Sequence, residues 1–203
     1  GYMDIAPDDK GENIRREICL TLERMGIYPE SSHHEEGPGQ NEIDFIHSDP
    51  LAAADNAVTF KTVVNTVTAV NGLCADFSPR PIADKPGNGF HINISLNSDN
   101  NEYMPRFISG IMDKIKDMTL FLNPDRRSYE RFGTNKAPKY ITWSRENRSQ
   151  LIRIPAYASE DSRRAELRSP DPLSNPYLAF ALIIYACLES AESDLKPVEA
   201  VDV

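Results

Sequence analysis

Apolar residues recur every three or four positions in several stretches of the chain, which predicts amphipathic helices. The first such stretch runs from Asn13 to Met25, and Gly26 follows it as a helix-ending glycine. Asp49 and Pro50 then offer an N-cap and a first-turn residue for a long helix that reaches Asn71. Two more helices are predicted to begin at Pro105 and at Asn175-Pro176.

Within the segment Gly87–Leu96, apolar residues alternate strictly with polar ones at Phe90, Ile92, Ile94 and Leu96. A period of two predicts a strand with one apolar and one polar face, and the polar face carries His91, Asn93 and Ser95. That face is either open to solvent, as in many antiparallel strands, or lines a cavity in which His91 would be a ligand.

Other segments show weaker strand patterns. Lys139–Trp143 and Arg148–Pro155 are expected to form a hairpin, and the residues from Asp125 to Pro138 a polar, basic loop. The remaining strand predictions are 28–36, 40–47, Leu73–Phe77 and Arg163–Ser169.

A Gly37-Pro38-Gly39 turn separates the first two of these strands. With Pro38 and Gly39 as the central residues of a type II turn, Glu35 lies directly opposite Glu42. Their Cβ atoms would be roughly 5 Å apart, and two bare carboxylates there repel by about 3 kcal/mol at an effective dielectric near 20. A hard cation bound between the two carboxylates would offset this repulsion. A wider loop could also bring the two carboxylates together.

Composition limits the classes of function. The 203 residues, 40% of them hydrophobic, suffice for one globular domain or at most two. A formal net charge of −9 argues against a nucleic-acid surface, although local arginine clusters could bind small anions.

The three cysteines are far apart and contain no CxxC spacing, so a reducing cytoplasm is expected. The longest apolar run, Leu178–Leu188, is too short to span a bilayer, and no membrane partner is expected. The first residue is Gly1, not Met, which suggests a fragment.

Arg164, Glu166 and Arg168 alternate on one predicted strand, either as a solvated charge ladder or as part of a site for an anion and a metal. Three carboxylates and one imidazole suit Mg²⁺ or Mn²⁺ better than zinc or copper. Several arginines suit phosphate and carboxylate substrates, so together these groups suggest phosphoryl transfer. The candidate ligands are Glu35, Glu42, His91 and Glu166, and the candidate anion binders are Arg131, Arg148, Arg153, Arg164 and Arg168.

The chain resembles the glutamine synthetases over almost its whole length. The resemblance rests on HHEEGPGQNE, GNGFHINISL, NRSQLIRIP and RAELRSPDPLSNPYLAFA, in the family's order and at its spacings, and on the GYMD at the start. It implies an α+β fold, an antiparallel sheet with helices packed on one face, in a single catalytic-domain fragment covering residues 1–203. It also implies a ligase that uses ATP to form γ-glutamyl phosphate from glutamate and then adds ammonia, in a ring-shaped homo-oligomer.

Residue roles follow from the resemblance alone. It implies that Glu35 and Glu42 bind one metal and that His91 and Glu166 bind the metal that bridges the ATP phosphates. The other implied roles are glutamate binding by Arg131, Arg168 and Gly87, phosphate or nucleotide binding by Arg148, Arg153, Arg164, Asn93 and Ser95, and a wall of the ammonia pocket at Tyr2.

Two departures from the family's pattern matter. The family's β-grasp domain and a strand with two metal-binding glutamates are absent from these residues, so the fragment alone is expected to be nearly inactive. Lys136 also stands where the family's flap carries a catalytic glutamate, and a cationic lysine accepts a proton only with a strongly lowered pKa. A related γ-glutamyl ligase that uses another amine and a non-catalytic ligand-binding relative are the alternatives.

Overall fold

The structure is a computed structural model that describes residues 1–97, 102–156 and 163–201. The chain divides into two compact units, residues 1–76 and residues 77–203. None of the helices in the described residues is both long and apolar enough to cross a membrane.

The first unit combines two helices with an antiparallel hairpin. Its elements are α1 (Glu12–Arg24), β1 (Pro29–His34), β2 (Asn41–Phe45) and α2 (Pro50–Val70). The two helices and β2 enclose an apolar core because the predicted stripes face one another; its buried members are Ile18, Leu22, Ile27, Val63 and Val67. Gly26 ends α1 with φ +82°, as its position after the apolar stripe predicts.

The strand predicted at Leu73–Phe77 is wrong. Gly72 adopts φ +71° after α2, and the amide of Leu73 donates to the carbonyl of Thr68 at 2.8 Å. The positive φ and this hydrogen bond end α2. Leu73–Phe77 then continues as irregular chain with Leu73 and Cys74 exposed.

The second unit packs helices against a mixed sheet. Its helices are α3 (Met104–Leu122), α4 (Arg126–Arg131) and α5 (Pro176–Glu192). Its strands are β3 (Ile92–Ile94), β4 (Tyr140–Ser144), β5 (Gln150–Arg153) and β6 (Ala165–Leu167), and in the described residues they lie in the order β3-β6-β5-β4.

In β3 and β6 one face is apolar and the other is polar, as the alternation predicts. Leu167 pairs with both Ile92 and Ile152, and all three lie in the core that α3 and α5 complete. A Cβ at Gly110 of α3 would be 2.5 Å from the carbonyl oxygen of Ala186 in α5, so the glycine permits the close approach of these two helices.

Two local predictions in this unit are wrong. β4 and β5 pair in parallel rather than as a hairpin, because residues 145–149 run back beside β4 until the Ser149 carbonyl accepts from the Lys139 amide at 2.8 Å. The predicted basic loop contains α4, which Asp125 initiates as one half of a capping box with Ser128.

Candidate active site

The hairpin turn forms at the predicted residues, but the register differs. Gln40 donates its amide to the Gly37 carbonyl at 3.0 Å around Pro38 and Gly39, and Gly39 has φ +66°. Glu35 donates its amide to the Gln40 carbonyl at 2.9 Å, so Glu35 does not lie opposite Glu42. A type II turn that joined the strands directly would match the strand twist poorly. The observed turn lies instead at the tip of a four-residue loop.

His33 takes the position opposite Glu42. Its Nε2 lies 3.3 Å from Oε1 of Glu35 and 3.9 Å from Oε2 of Glu42. Ligand atoms of all three side chains lie within 4.8 Å of one another, and the residues are half-buried. The two carboxylates therefore converge, as expected for a wider loop, and the group could hold a cation.

His33 was not among the sequence candidates. The sequence feature that could have identified it is its position two residues before Glu35 on a strand, because that spacing places both side chains on one face. The segment has two histidines and two glutamates in succession, and only the register shows which of them share a face with Glu42.

Tyr2 lies beside this group. Its ring makes an edge-to-face contact with His33, with 5.7 Å between ring centroids. The neighbouring Met3 amide donates to the His34 carbonyl at 2.9 Å, which fastens the amino-terminal segment to β1. The structure thus brings Tyr2, His33, Glu35 and Glu42 together in the first unit.

In the second unit, Glu166 is the centre of the polar sheet face. It pairs with Asn93 on one side and Arg153 on the other. Nε of Arg153 donates to Oε2 at 2.6 Å, and Nη1 of Arg168 donates to Oε1 at 2.8 Å. Glu166 is 5% exposed and Arg168 is 3% exposed, so these two residues are not part of a solvated charge ladder.

His91, directly before β3, completes this cluster. Its Nδ1 lies 3.1 Å from Oε1 of Glu166. Burial alone would raise the pKa of Glu166, but His91, Arg168 and Arg153 together lower it to about 2, so the carboxylate is ionised. Desolvation lowers the pKa of His91, and the hydrogen bond with Glu166 opposes that shift.

Arg168 connects three parts of the unit through its guanidinium. Besides Glu166, it donates from Nη2 to the Lys136 carbonyl at 2.9 Å and from Nε to the Arg148 carbonyl at 3.2 Å. Lys136 lies in the loop between α4 and β4. The backbone of that loop is therefore tied to the same arginine that pairs with Glu166.

Arg131 is almost fully buried, at 2% exposure. Its Nη2 donates to the carbonyls of Ser169 and Pro170, the second at 3.2 Å. Desolvation lowers its pKa to about 10. A Cβ at Gly87 would lie 2.9 Å from Cγ and Cδ of Arg131, so the glycine and the arginine stem are in close contact.

The other predicted residues lie around this arrangement. Asn93 is exposed opposite Glu166, and Ser95 is exposed beyond the end of β3. Arg148 is exposed between β4 and β5, and Arg164 is half-buried directly before β6.

The family model for the glutamine synthetase catalytic domain matches residues 1–203. The chain is 44% identical to a glutamine synthetase of Clostridium saccharobutylicum, over 97% of this chain and 47% of that protein. It is 43% identical to a glutamine synthetase of Methanosarcina mazei, over 100% of this chain and 48% of that protein. The chain thus spans about half the length of the curated relatives it matches.

Solved structures agree with the sequence matches. A Plasmodium falciparum glutamine synthetase superposes with a TM-score of 0.92 at 29% identity, covering 98% of this chain and 41% of that chain. A complex of GmaS with ADP superposes with a TM-score of 0.87 at 29% identity, covering 100% of this chain and 50% of that chain. On the match to its full length and these identities, the chain belongs to the glutamine synthetase catalytic-domain family.

Proposed function

We propose that this chain is part of the catalytic domain of an ATP-dependent glutamate–ammonia ligase that proceeds through γ-glutamyl phosphate. The observation that carries the proposal is the convergence of His33, Glu35 and Glu42 within 4.8 Å, inside a segment that matches the family. Two carboxylates and one imidazole on one face of the hairpin are donor types that bind a divalent cation.

The donor types fit a divalent cation with a preference for oxygen, Mg²⁺ or Mn²⁺. Glu35 and Glu42 supply carboxylate oxygens, the donors that these cations prefer, and His33 adds an imidazole nitrogen. In the second unit, His91 and Glu166 are the proposed ligands of a second cation. Bound there, divalent cations would neutralise charge on the phosphates of ATP.

Arginines would handle the anionic substrates. Arg131 and Arg168 are proposed to hold glutamate carboxylates, with the Gly87 backbone near the substrate's amino group. Arg131 is supported by its contact with Gly87, since both would meet the same small ligand. Arg168 is supported by its fixed position beside Glu166, because a pre-oriented guanidinium loses less freedom on binding.

Arg148, Arg153 and Arg164 are proposed to bind the phosphates of ATP. Arg153 is the best placed of them, because its bond to Glu166 joins an anion-binding group to a proposed metal ligand. Asn93 and Ser95 are proposed nucleotide contacts on the same strand region. The ADP in the GmaS complex supports an adenine nucleotide as co-substrate.

Tyr2 would wall the ammonia pocket, and Lys136 would replace the family's flap glutamate. The tyrosine ring already covers His33. A lysine ammonium cannot accept a proton from ammonium. The altered flap could accommodate a different amine, so a γ-glutamyl ligase that uses another amine is the second candidate function.

We further propose a cytoplasmic, ring-shaped homo-oligomer. The three cysteines, Cys19, Cys74 and Cys187, are all unbridged, as a reducing compartment would require. The ring is inferred from the family alone.

The test measures phosphate release by the full-length protein with ATP, glutamate and Mg²⁺, and with ammonia or a polyamine as the acceptor. Ammonia-dependent release supports the first function, and release only with a larger amine supports the second. Lys136→Glu should raise ammonia-dependent release, whereas Lys139→Glu, at an exposed lysine nearby, should not. Binding of ATP and Mg²⁺ without turnover, even in Lys136→Glu, would contradict both functions and indicate a non-catalytic relative.

A further inference from the structure

Arg15 is a buried arginine of α1 that contacts both strands of the hairpin. Its Nη1 donates to Oδ1 of Asn41 on β2 at 2.6 Å, and its Nε donates to Oγ of Ser32 on β1 at 3.1 Å. Its Nη2 donates to Oδ2 of Asp9 at 2.6 Å. Arg15 is 7% exposed and Asp9 is 4% exposed, so the pair is withdrawn from water.

The two strand contacts lie directly behind the candidate ligands. Ser32 precedes His33 on β1, and Asn41 precedes Glu42 on β2. Since successive strand residues point to opposite faces, Arg15 holds the face opposite to the one that carries His33 and Glu42. One guanidinium thus joins the strands at the point where the ligands meet.

The contact supports the register of a hairpin whose stability also depends on packing against α1 and α2. A slip of one residue would move every side chain to the other face. The planar fork of a guanidinium sets the directions of its hydrogen bonds. Bonds from one fork to Ser32 and Asn41 therefore fix the register in which His33 lies opposite Glu42.

The surroundings of Asn41 are fitted to this contact. Its Nδ2 donates to the Gly39 carbonyl at 2.9 Å, which leaves Oδ1 directed at Arg15. A Cβ at Gly11 would lie 2.7 Å from that Oδ1, so the start of α1 approaches the strand closely only because the residue is glycine. The hydrogen bond from Arg15 lowers the pKa of Asp9, which keeps a negative charge beside the guanidinium.

We propose that Arg15 is a positioning residue for the cation site formed by His33, Glu35 and Glu42. The inference rests on the proposed function of that cluster as a metal site. Arg15 does not touch the cation; it fixes the spacing of the groups that do. Groups behind a metal site that orient its ligands typically contribute 10–100-fold in metal affinity.

The test measures Mn²⁺ affinity of the full-length protein by electron paramagnetic resonance, together with its thermal unfolding. Arg15→Lys keeps a cation for Asp9 but loses the fork, and Asn41→Ala removes one strand contact and keeps the Arg15–Asp9 pair. Both should weaken Mn²⁺ binding about 10-fold or more and broaden the spectrum of bound Mn²⁺, while the folded protein persists. Arg16→Lys, at the exposed next residue of α1, is the matched control and should bind Mn²⁺ like the parent.

Glu42→Gln separates this inference from the proposed function. If Glu42→Gln weakens Mn²⁺ binding while Arg15→Lys and Asn41→Ala leave it unchanged, the cluster is a metal site and the role of Arg15 is refuted. If Glu42→Gln changes nothing, the metal site itself is refuted, and the inference with it. Should Arg15→Lys fail to fold, Asn41→Ala decides, because the buried ion pair is intact in that variant.

Discussion

His33 lies directly opposite Glu42 across the hairpin, and Nε2 of His33 is 3.9 Å from Oε2 of Glu42. The same nitrogen is 3.3 Å from Oε1 of Glu35, so the imidazole lies between two carboxylates. The proposed ligand set in this unit is therefore one nitrogen and two carboxylate groups.

Replacing His33 should weaken the cation site. We expect His33→Ala to raise the dissociation constant for Mn²⁺ by about tenfold or more, a loss of about 1.4 kcal/mol, because one of three ligands disappears. Isothermal titration calorimetry with MnCl₂ measures this directly. Glu30→Gln, at an exposed residue of the same strand, is the control and should bind as the parent does. Equal affinity of His33→Ala and the parent would remove the imidazole from the ligand set.

The hairpin shows how far the sequence could predict this site. Pro38 and Gly39 predict the turn because each has a fixed backbone preference, and the turn forms there. The register depends on two extra loop residues on the β1 side, and no local preference determines their number. The sequence therefore predicted that Glu35 and Glu42 converge. The residue predicted to lie opposite Glu42 was wrong, and His33 was not predicted as a candidate ligand.

The second unit shows a similar limit. Alternation predicts which face of β3 and β6 is polar, because burial of one sheet face acts on every second residue. The parallel pairing of β4 with β5 depends on the return path of residues 145–149, and two short strands with a five-residue connection suggest a hairpin from sequence alone. The contact between Glu166 and Arg153 could not be predicted without knowing which strands pair.

Loss of the Glu166 charge should destabilise the second unit. Glu166→Gln leaves Arg153 and Arg168 beside a neutral side chain, and removal of one partner from a buried ion pair costs about 3–5 kcal/mol. Urea unfolding followed through Trp143, the only tryptophan in the sequence, measures the free energy of unfolding. Glu146→Gln, in the exposed β4–β5 connection, should change it by no more than about 0.5 kcal/mol. A similarly small effect of Glu166→Gln would show that the pair adds nothing to stability.

The Asp9–Arg15 pair should make stability depend on pH in the acid range. The hydrogen bond from Arg15 lowers the folded-state pKa of Asp9 below its ordinary value of 3.8. The unfolded chain therefore binds the proton first as the pH falls, and the contribution of Asp9 is complete above 3.8 and lost as the pH drops through the folded value. Unfolding measured across this range should show a steeper loss for the parent than for Asp9→Asn. The exposed neighbour variant Asp8→Asn should keep the parent's slope, and identical slopes for the parent and Asp9→Asn would contradict the prediction.

A methyl group at Gly87 should disturb Arg131. The added Cβ would lie 2.4 Å from the Pro79 carbonyl oxygen and 2.9 Å from Cγ and Cδ of Arg131. The Pro79 carbonyl accepts the Asn88 amide at 2.9 Å, so the backbone cannot yield without losing that hydrogen bond.

Gly87→Ala is therefore expected to destabilise the second unit by about 1–3 kcal/mol, the usual cost of overpacking. In the full-length protein it should also raise the KM for glutamate, because the arginine proposed to hold a glutamate carboxylate is displaced. Gly1→Ala, whose Cβ would meet only Asp4 at 3.8 Å, is the control for adding a methyl group. If Gly87→Ala lowers stability and leaves the KM unchanged, Arg131 contributes to packing and not to glutamate binding.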